Sequence, residues 1–161
     1  GSGLVGSEMC IRDSPFIGGE LIKVMTGIRR SGKSVMLELI KEELAEAGVA
    51  PSQMISINFE DMRYSHLQTA TALHDEIIKR AEGIEGKAYL FFDEIQEVEG
   101  WEKCVNSLRV ALDCDIYITG SNAKLLSGEL ATYIGGRYVE FVIYPFSFAE
   151  FLELYLTLIH I

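Results

Sequence analysis

One eight-residue segment constrains this chain more than any other feature. Gly27-Ile-Arg-Arg-Ser-Gly-Lys-Ser34 matches the pattern G-x-x-x-x-G-K-[ST]. Residues 21–26 before it are apolar and partly β-branched, as in a buried strand, and after it apolar residues recur at helical spacing from Met36 until Gly48. Glycines let backbone N–H groups converge on one point, and the N-terminus of a helix adds partial positive charge. The segment therefore predicts a phosphate-binding loop between a strand and a helix.

The side chains of this loop have distinct predicted roles. We expect Lys33 to reach the β and γ phosphates of a nucleotide and Ser34 to ligate Mg²⁺. A tight turn with a surface lysine is the alternative, which the flanking strand and helix disfavour. The predicted nucleotide-binding residues are Gly27, Arg29, Arg30, Ser31, Gly32, Lys33, Ser34 and Val35.

Two adjacent carboxylates follow the most apolar predicted strand, residues 88–92. We expect Asp93 to hold Mg²⁺ and Glu94 to polarise the attacking water as a general base. Two acidic residues at a strand end also occur in solvated turns. The phosphate loop earlier in the chain favours the functional interpretation, because hydrolysis needs acidic groups at a neighbouring strand end.

Two later segments leave alternatives open. Ser121 or Asn122, after the fourth predicted strand, fits a hydrogen bond to the γ-phosphate or the lytic water, and equally an N-cap for a helix through Leu125. Arg137 follows a glycine pair. It suits either a finger placed against the γ-phosphate of a neighbouring subunit or an ordinary surface position.

The rest of the chain alternates strands with helices, which predicts an α/β fold with a parallel sheet covered on both faces. We expect the sheet order 5-1-4-3-2, which places the fourth strand between the loop strand and the strand that ends at Asp93. Ser147 and Glu150 have capping-box spacing for the last helix. Strands are predicted at residues 21–26, 54–58, 88–92, 115–119 and 138–143, and earlier helices at 36–47, 67–81 and 101–112.

Composition excludes several classes of protein. The 161 residues carry a formal charge of −10, which disfavours broad nucleic-acid or acidic membrane surfaces. No apolar run approaches the length of about 20 residues that a membrane span needs. The three cysteines lack C-x-x-C spacing, and no two histidines fall at i, i+4 on one predicted helix. We expect reduced thiols, no metal site built from protein ligands alone, and a cytoplasmic location.

Seven segments stand in order along the chain: Gly27–Ser34, Asn58-Phe-Glu-Asp61, Phe92-Asp-Glu-Ile-Gln96, Gly100-Trp101, Ile118-Thr-Gly-Ser-Asn122, Gly136-Arg137 and Tyr144-Pro-Phe-Ser-Phe-Ala-Glu-Phe151. Together they resemble one family, the prokaryotic AAA-type ATPases, P-loop proteins in which this domain precedes a C-terminal domain. The resemblance implies ATP and Mg²⁺ as ligands, with Lys33, Ser34, Asp93 and Glu94 in the usual roles. It also implies a sensor near Asn122 and a candidate finger at Arg137.

The resemblance covers residues 20–152 and divides the chain into three parts. We expect residues 1–19 to be a leader or linker and residues 153–161 a truncated or foreign tail. AAA proteins normally follow this core with a helical lid that carries a nucleotide-sensing arginine. We therefore expect the chain to be a fragment.

The sequence predicts an ATPase that hydrolyses ATP with Mg²⁺. A homo-oligomer is an assembly that this prediction allows. An ATP-binding switch or assembly module with little turnover is one alternative, and a small-molecule kinase that shares the loop is another. A GTPase is disfavoured because no Asn-Lys-x-Asp segment is present. A transporter-type ATPase is disfavoured because its partial signature, Leu126-Ser-Gly128, follows Asp93 instead of preceding it.

Overall fold

The computed structural model describes residues 21–28, 32–121, 125, 137–143 and 148–159, with the backbone alone at 148–151, 154 and 159. Within these residues the chain alternates strands with helices as predicted. The strands are β1 (Ile22–Thr26), β2 (Met54–Asn58), β3 (Ala88–Asp93), β4 (Cys114–Gly120) and β5 (Tyr138–Val142). The α-helices are α1 (Lys33–Glu46), α2 (Ala70–Ala81), α3 (Trp101–Ala111) and α4 (Phe148–Ile159).

The five strands form one sheet in the order β2-β3-β4-β1-β5, in which every neighbouring pair is parallel. This confirms the predicted α/β class and the order 5-1-4-3-2. Parallel pairing brings the carboxyl ends of β1, β3 and β4 to one edge of the sheet. In the register of β3 with β4, Phe92 is paired with Ile118, so the residues that follow each of them are neighbours.

Helices cover both faces of the sheet. On each face a hydrophobic core lies between the helices and the sheet. On one face, α2 and α3 bury side chains such as Leu73, Ile77 and Leu108 against the sheet. On the other face, Met36 and Ile40 of α1 are buried in a second cluster. Burial on both faces explains why the strands are apolar runs with little alternation. The architecture is the three-layer P-loop fold that the sequence predicts.

The helix predicted from residue 67 begins later, at Ala70. Thr69 is its N-cap, and the hydroxyl of Thr69 accepts a hydrogen bond from the N–H of Ala72 at 3.2 Å. Leu67 is buried but belongs to a preceding 3₁₀ helix, Met62–Leu67. The apolar spacing placed Leu67 on the correct face of the core, while the capping threonine decided where the α-helix starts.

The last helix, α4, crosses the domain boundary predicted at residue 152. Its Leu158 is buried in the same core cluster as α1, and its Tyr155 hydroxyl donates a hydrogen bond to Glu43 of α1 at 3.1 Å. Ser147, the predicted cap, lies outside the described residues, and the three-part division of the chain stays a prediction. No helix in the described ranges is long and apolar enough to cross a membrane.

Candidate nucleotide-binding site

The phosphate loop leaves β1 at its carboxyl end and enters α1 at Gly32. Gly32 has φ 97° and ψ 8°, a left-handed conformation that glycine adopts without strain. It is the N-cap of α1, and no side chain caps the helix there. The first turn of α1 holds no acidic residue. Its backbone N–H groups and partial positive charge therefore suit an anion.

Lys33 is buried beneath this loop, with 3% of its surface exposed. Its ammonium donates hydrogen bonds to the carbonyl oxygens of Gly27 at 2.8 Å and Ile28 at 2.9 Å. The same nitrogen lies 3.7 Å from Oε1 of Glu94. The predicted phosphate-binding lysine and the predicted general base thus meet at one point.

Asp93 ends β3 with both carboxylate oxygens in hydrogen bonds. The Ser34 hydroxyl donates to Oδ2 at 2.7 Å, and the Thr119 hydroxyl donates to Oδ1 at 2.5 Å. Ser34 and Asp93 are adjacent hard oxygen donors, the kind that Mg²⁺ prefers. The donors present fit a nucleotide-bound Mg²⁺ held by these two residues.

Glu94 is held from several directions in a backbone conformation that is rare outside glycine. Its φ of 58° and ψ of 53° lie in the left-handed region, which costs about 1–3 kcal/mol for such a residue. Its N–H donates to the Thr119 hydroxyl at 2.9 Å. Its Oε2 accepts hydrogen bonds from Ser121 Oγ at 2.7 Å and Gln96 Nε2 at 2.5 Å. Glu94 is 5% exposed, so bulk water is excluded from most of its surface.

Two of these contacts come from residues to which the sequence assigned no role, Thr119 and Gln96. Thr119 lies in β4 beside the end of β3, so the predicted strand order was the signal that could have singled it out. Ser121, one of two residues offered after β4, reaches Glu94, while Asn122 lies outside the described residues. Gln96 follows Glu94 by two positions, and nothing in its spacing predicted that its amide turns back toward the carboxylate.

The structure does not bring every predicted residue to this site. Arg29, Arg30 and Ser31 lie outside the described residues, and Val35 is largely exposed on α1. The Arg137 carbonyl accepts a hydrogen bond from Ile22 N–H at 3.1 Å, at the start of β1. Because a five-residue strand spans about 15 Å, Arg137, which immediately precedes β5, lies at the end of the sheet opposite the phosphate loop.

A separate cavity of about 230 Å³ lies between α2 and α3, away from the strand ends. Its wall includes His74, whose Nε2 lies 2.8 Å from Ser107 Oγ. Oδ1 of Asp75 lies 3.9 Å from His74 Nδ1, which is beyond hydrogen-bond distance.

Cys104 and Cys114 are free and buried. Burial raises the pKa of the Cys104 thiol to about 12 and that of Cys114 to about 11. Since the thiolate is the reactive form, the raised pKa values disfavour reaction of either thiol at neutral pH.

Comparison with known proteins adds to this geometry. Residues 20–152 match a family model described as an AAA domain. The chain is 50% identical over 134 residues to an uncharacterized protein of Haemophilus influenzae, covering 83% of this chain and 34% of that protein. It is 41% identical over 133 residues to an uncharacterized protein of Methanocaldococcus jannaschii, covering 82% of this chain and 28% of that protein. The chain thus spans about a third of the length of these curated relatives.

Proposed function

Because this chain belongs to the AAA-domain family of nucleotide-binding P-loop ATPases, we propose that it binds ATP with Mg²⁺ and hydrolyses it to ADP and phosphate. One observation carries the proposal. The ammonium of Lys33 lies 3.7 Å from the buried carboxylate of Glu94, and the neighbouring Asp93 receives a hydrogen bond from Ser34 of the same loop. One edge of the sheet therefore holds the side chains that we assign as the phosphate-binding cation, the base for water and the two magnesium ligands.

Binding rests on the loop and the start of α1. The uncapped N-terminus of α1 offers backbone N–H groups to the phosphates. Lys33 adds a full positive charge that is already desolvated, which strengthens its attraction to a polyphosphate. A chain with a net charge of −10 binds an anion here because these groups converge locally.

Hydrolysis rests on Glu94. In the proposed reaction, a water oxygen bonds to the γ-phosphorus, the bond from that phosphorus to the β–γ bridging oxygen breaks, and a water proton passes to the Glu94 carboxylate. ADP carries away the electron pair of the broken bond. Lys33 stabilises the negative charge that spreads over the transferring group.

Ser34 and Asp93 would hold Mg²⁺, which would supply charge neutralisation for the phosphates when bound with the nucleotide. Asp93 is fixed for this role by the hydrogen bonds from Ser34 and Thr119. We further propose that the whole protein is a homo-oligomer located in the cytoplasm.

The test is a Mg²⁺-dependent ATP turnover assay on the chain with two substitutions and two matched controls. Lys33→Ala should abolish nucleotide binding, measured by titration with a fluorescent ATP analogue, whereas Lys41→Ala on the same helix should retain it. Glu94→Gln should lower kcat by about 10²- to 10⁴-fold and leave binding intact, because it removes the base but not the phosphate contacts. Glu97→Gln, three residues along the chain, should leave kcat unchanged.

The outcomes separate the competing functions. Undiminished affinity in Lys33→Ala contradicts the phosphate-loop assignment, and an unchanged rate in Glu94→Gln contradicts the general-base assignment. Tight Mg²⁺-dependent ATP binding without phosphate release, in the parent chain itself, identifies the nucleotide-dependent switch. Phosphate release that requires an added acceptor molecule identifies the kinase.

A further inference from the structure

One oxygen of the Glu94 carboxylate is held by side chains outside the phosphate loop. Gln96 Nε2 and Ser121 Oγ both donate to Oε2, and Gln96 Nε2 also lies 3.3 Å from Ser121 Oγ. The three side chains therefore form a closed triangle. The other oxygen, Oε1, is the one that lies 3.7 Å from the Lys33 ammonium.

The orientation of the Gln96 amide is fixed by this carboxylate. A carboxylate accepts hydrogen bonds and cannot donate them, so the NH₂ group of Gln96 has to face it and the carbonyl has to point away. The carbonyl oxygen Oε1 of Gln96 is buried and has no hydrogen-bond partner among the described residues. The orientation of the amide is therefore set by its contact with Glu94 and not by any partner of its carbonyl among the described residues.

The absence of a side chain at Gly120 leaves room for the Gln96 amide. A Cβ atom on residue 120 would lie 2.9 Å from Oε1 of Gln96 and 2.4 Å from Cδ2 of Leu125. Both distances are shorter than real Cβ contacts, so any larger residue there would displace one of these side chains. A glycine between Thr119 and Ser121 thus lets the Gln96 amide lie against β4 and reach Glu94.

We propose that Gln96, with Ser121, is a positioning residue that fixes Oε2 of Glu94 so that Oε1 faces the phosphate loop. This inference rests on the proposed function, since it assigns Oε1 as the oxygen that takes the proton from water. A glutamate side chain has three rotatable bonds, and anchoring one oxygen removes most of the orientations in which the other misses the water. Gln96 acts only through Glu94.

The first test is a double-mutant cycle on steady-state ATP hydrolysis by the chain. Gln96→Leu should lower kcat by about tenfold with an unchanged KM, because the base is misoriented while the phosphate contacts persist. In the Glu94→Gln background the same substitution should cause no further loss, since the base through which Gln96 acts is already gone. Gln68→Leu, which removes an amide donor to the Phe59 carbonyl and none of the donors to Glu94 named above, is the matched control.

Ser121 supplies an independent pair of variants in case Gln96→Leu folds poorly. Ser121→Ala should lower kcat severalfold, and Ser121→Thr, which retains the hydroxyl, should restore it. If Gln96→Leu lowers kcat by the same factor in both backgrounds, or changes KM alone, its role is structural and the inference is overturned. If the parent chain itself does not hydrolyse ATP, that result contradicts the proposed function instead.

A second measurement does not depend on turnover. The side-chain amide signals of Gln96, followed by ¹⁵N nuclear magnetic resonance, should shift on Glu94→Ala because their acceptor is removed. The amide signals of Gln53 and Gln68, which donate to backbone carbonyls, should stay in place. An unmoved Gln96 signal means that the contact is absent in solution and overturns the inference whatever the ATPase assay shows.

Discussion

At Thr119 a single hydroxyl joins the two acidic residues of the site. It donates to Oδ1 of Asp93 and accepts from the N–H of Glu94, and Thr119 itself is fully buried. The hydroxyl thereby satisfies a backbone donor that the left-handed turn at Glu94 directs into the protein. It also holds the carboxylate that we assign to Mg²⁺. One side chain of β4 therefore sets both the position of Asp93 and the turn at Glu94.

We expect Thr119→Val to lower the free energy of unfolding by about 1–3 kcal/mol, because it leaves the Glu94 N–H buried without a partner at nearly constant side-chain volume. Thr119→Ser retains the hydroxyl and should cost less. Equilibrium denaturation in urea measures both. A Thr119→Val variant as stable as the parent chain would show that the hydroxyl contributes nothing to stability.

At the scale of elements, the paired strands β1 and β4 hold a buried ion pair that lies away from the phosphate loop. Lys23 in β1 is 2% exposed, and its ammonium lies 3.7 Å from Oδ1 of Asp115 and over the ring of Tyr117. Lys87 also contacts Asp115, at 3.4 Å. Burial lowers the pKa of Lys23 from its usual 10.5, and the charge of Asp115 opposes that shift. The cost of burying the ammonium is thus only partly offset.

This pair makes stability depend on pH in a definite direction. Between the lowered pKa of folded Lys23 and the unfolded value of 10.5, the unfolded chain binds more protons, so stability due to Lys23 rises with pH. Lys23→Met should remove this rise. Because Lys87 still contacts Asp115, the loss of stability at neutral pH should stay below the roughly 3–5 kcal/mol that is typical of breaking a buried ion pair outright. Denaturant unfolding over a pH series measures the difference from the parent chain.

The matched control for this pH series is Lys79→Met, on the exposed surface of α2. Its curve should run parallel to that of the parent chain, because Lys79 is exposed in the folded chain and is not buried on folding. Should the Lys23→Met curve also run parallel, the buried ammonium would contribute nothing to the pH dependence.

At the scale of the whole molecule, the candidate finger and the phosphate loop lie at opposite edges of the sheet. Arg137 immediately precedes β5 and lies beside the first residue of β1, whereas Lys33 and Glu94 lie beyond the carboxyl ends of β1 and β3. Within one chain the finger is separated from its proposed target by the length of β1. The role predicted for Arg137 therefore requires a neighbouring subunit.

A mixing experiment tests this arrangement. Arg137→Ala supplies an intact Glu94, and Glu94→Gln supplies an intact Arg137, so a mixture of the two should hydrolyse ATP faster than either variant alone. The specific activity of the parent chain should rise with protein concentration as subunits associate. A mixture whose rate is the average of its components, at every concentration, contradicts a finger that acts between subunits.

The sequence by itself was sufficient for the features that depend on neighbours along the chain. The loop ending in Lys33 and Ser34, the apolar strand before Asp93 and the helical spacing after each strand are local patterns, and the structure has the predicted elements in the predicted sheet order. Such patterns are readable because backbone geometry repeats with fixed periods and because glycines and caps mark the ends. The start of α2 was misplaced where a capping threonine outweighed that period.

Tertiary structure alone decided which side chains meet at the strand ends. Thr119 reaches Asp93 because β4 lies between β1 and β3 in a parallel register, and Gln96 turns back because Glu94 adopts a left-handed conformation. Neither contact has a period or a spacing that the sequence could display. The packing that fixes them joins residues about 25 positions apart, so their roles emerge only when the whole sheet is assembled.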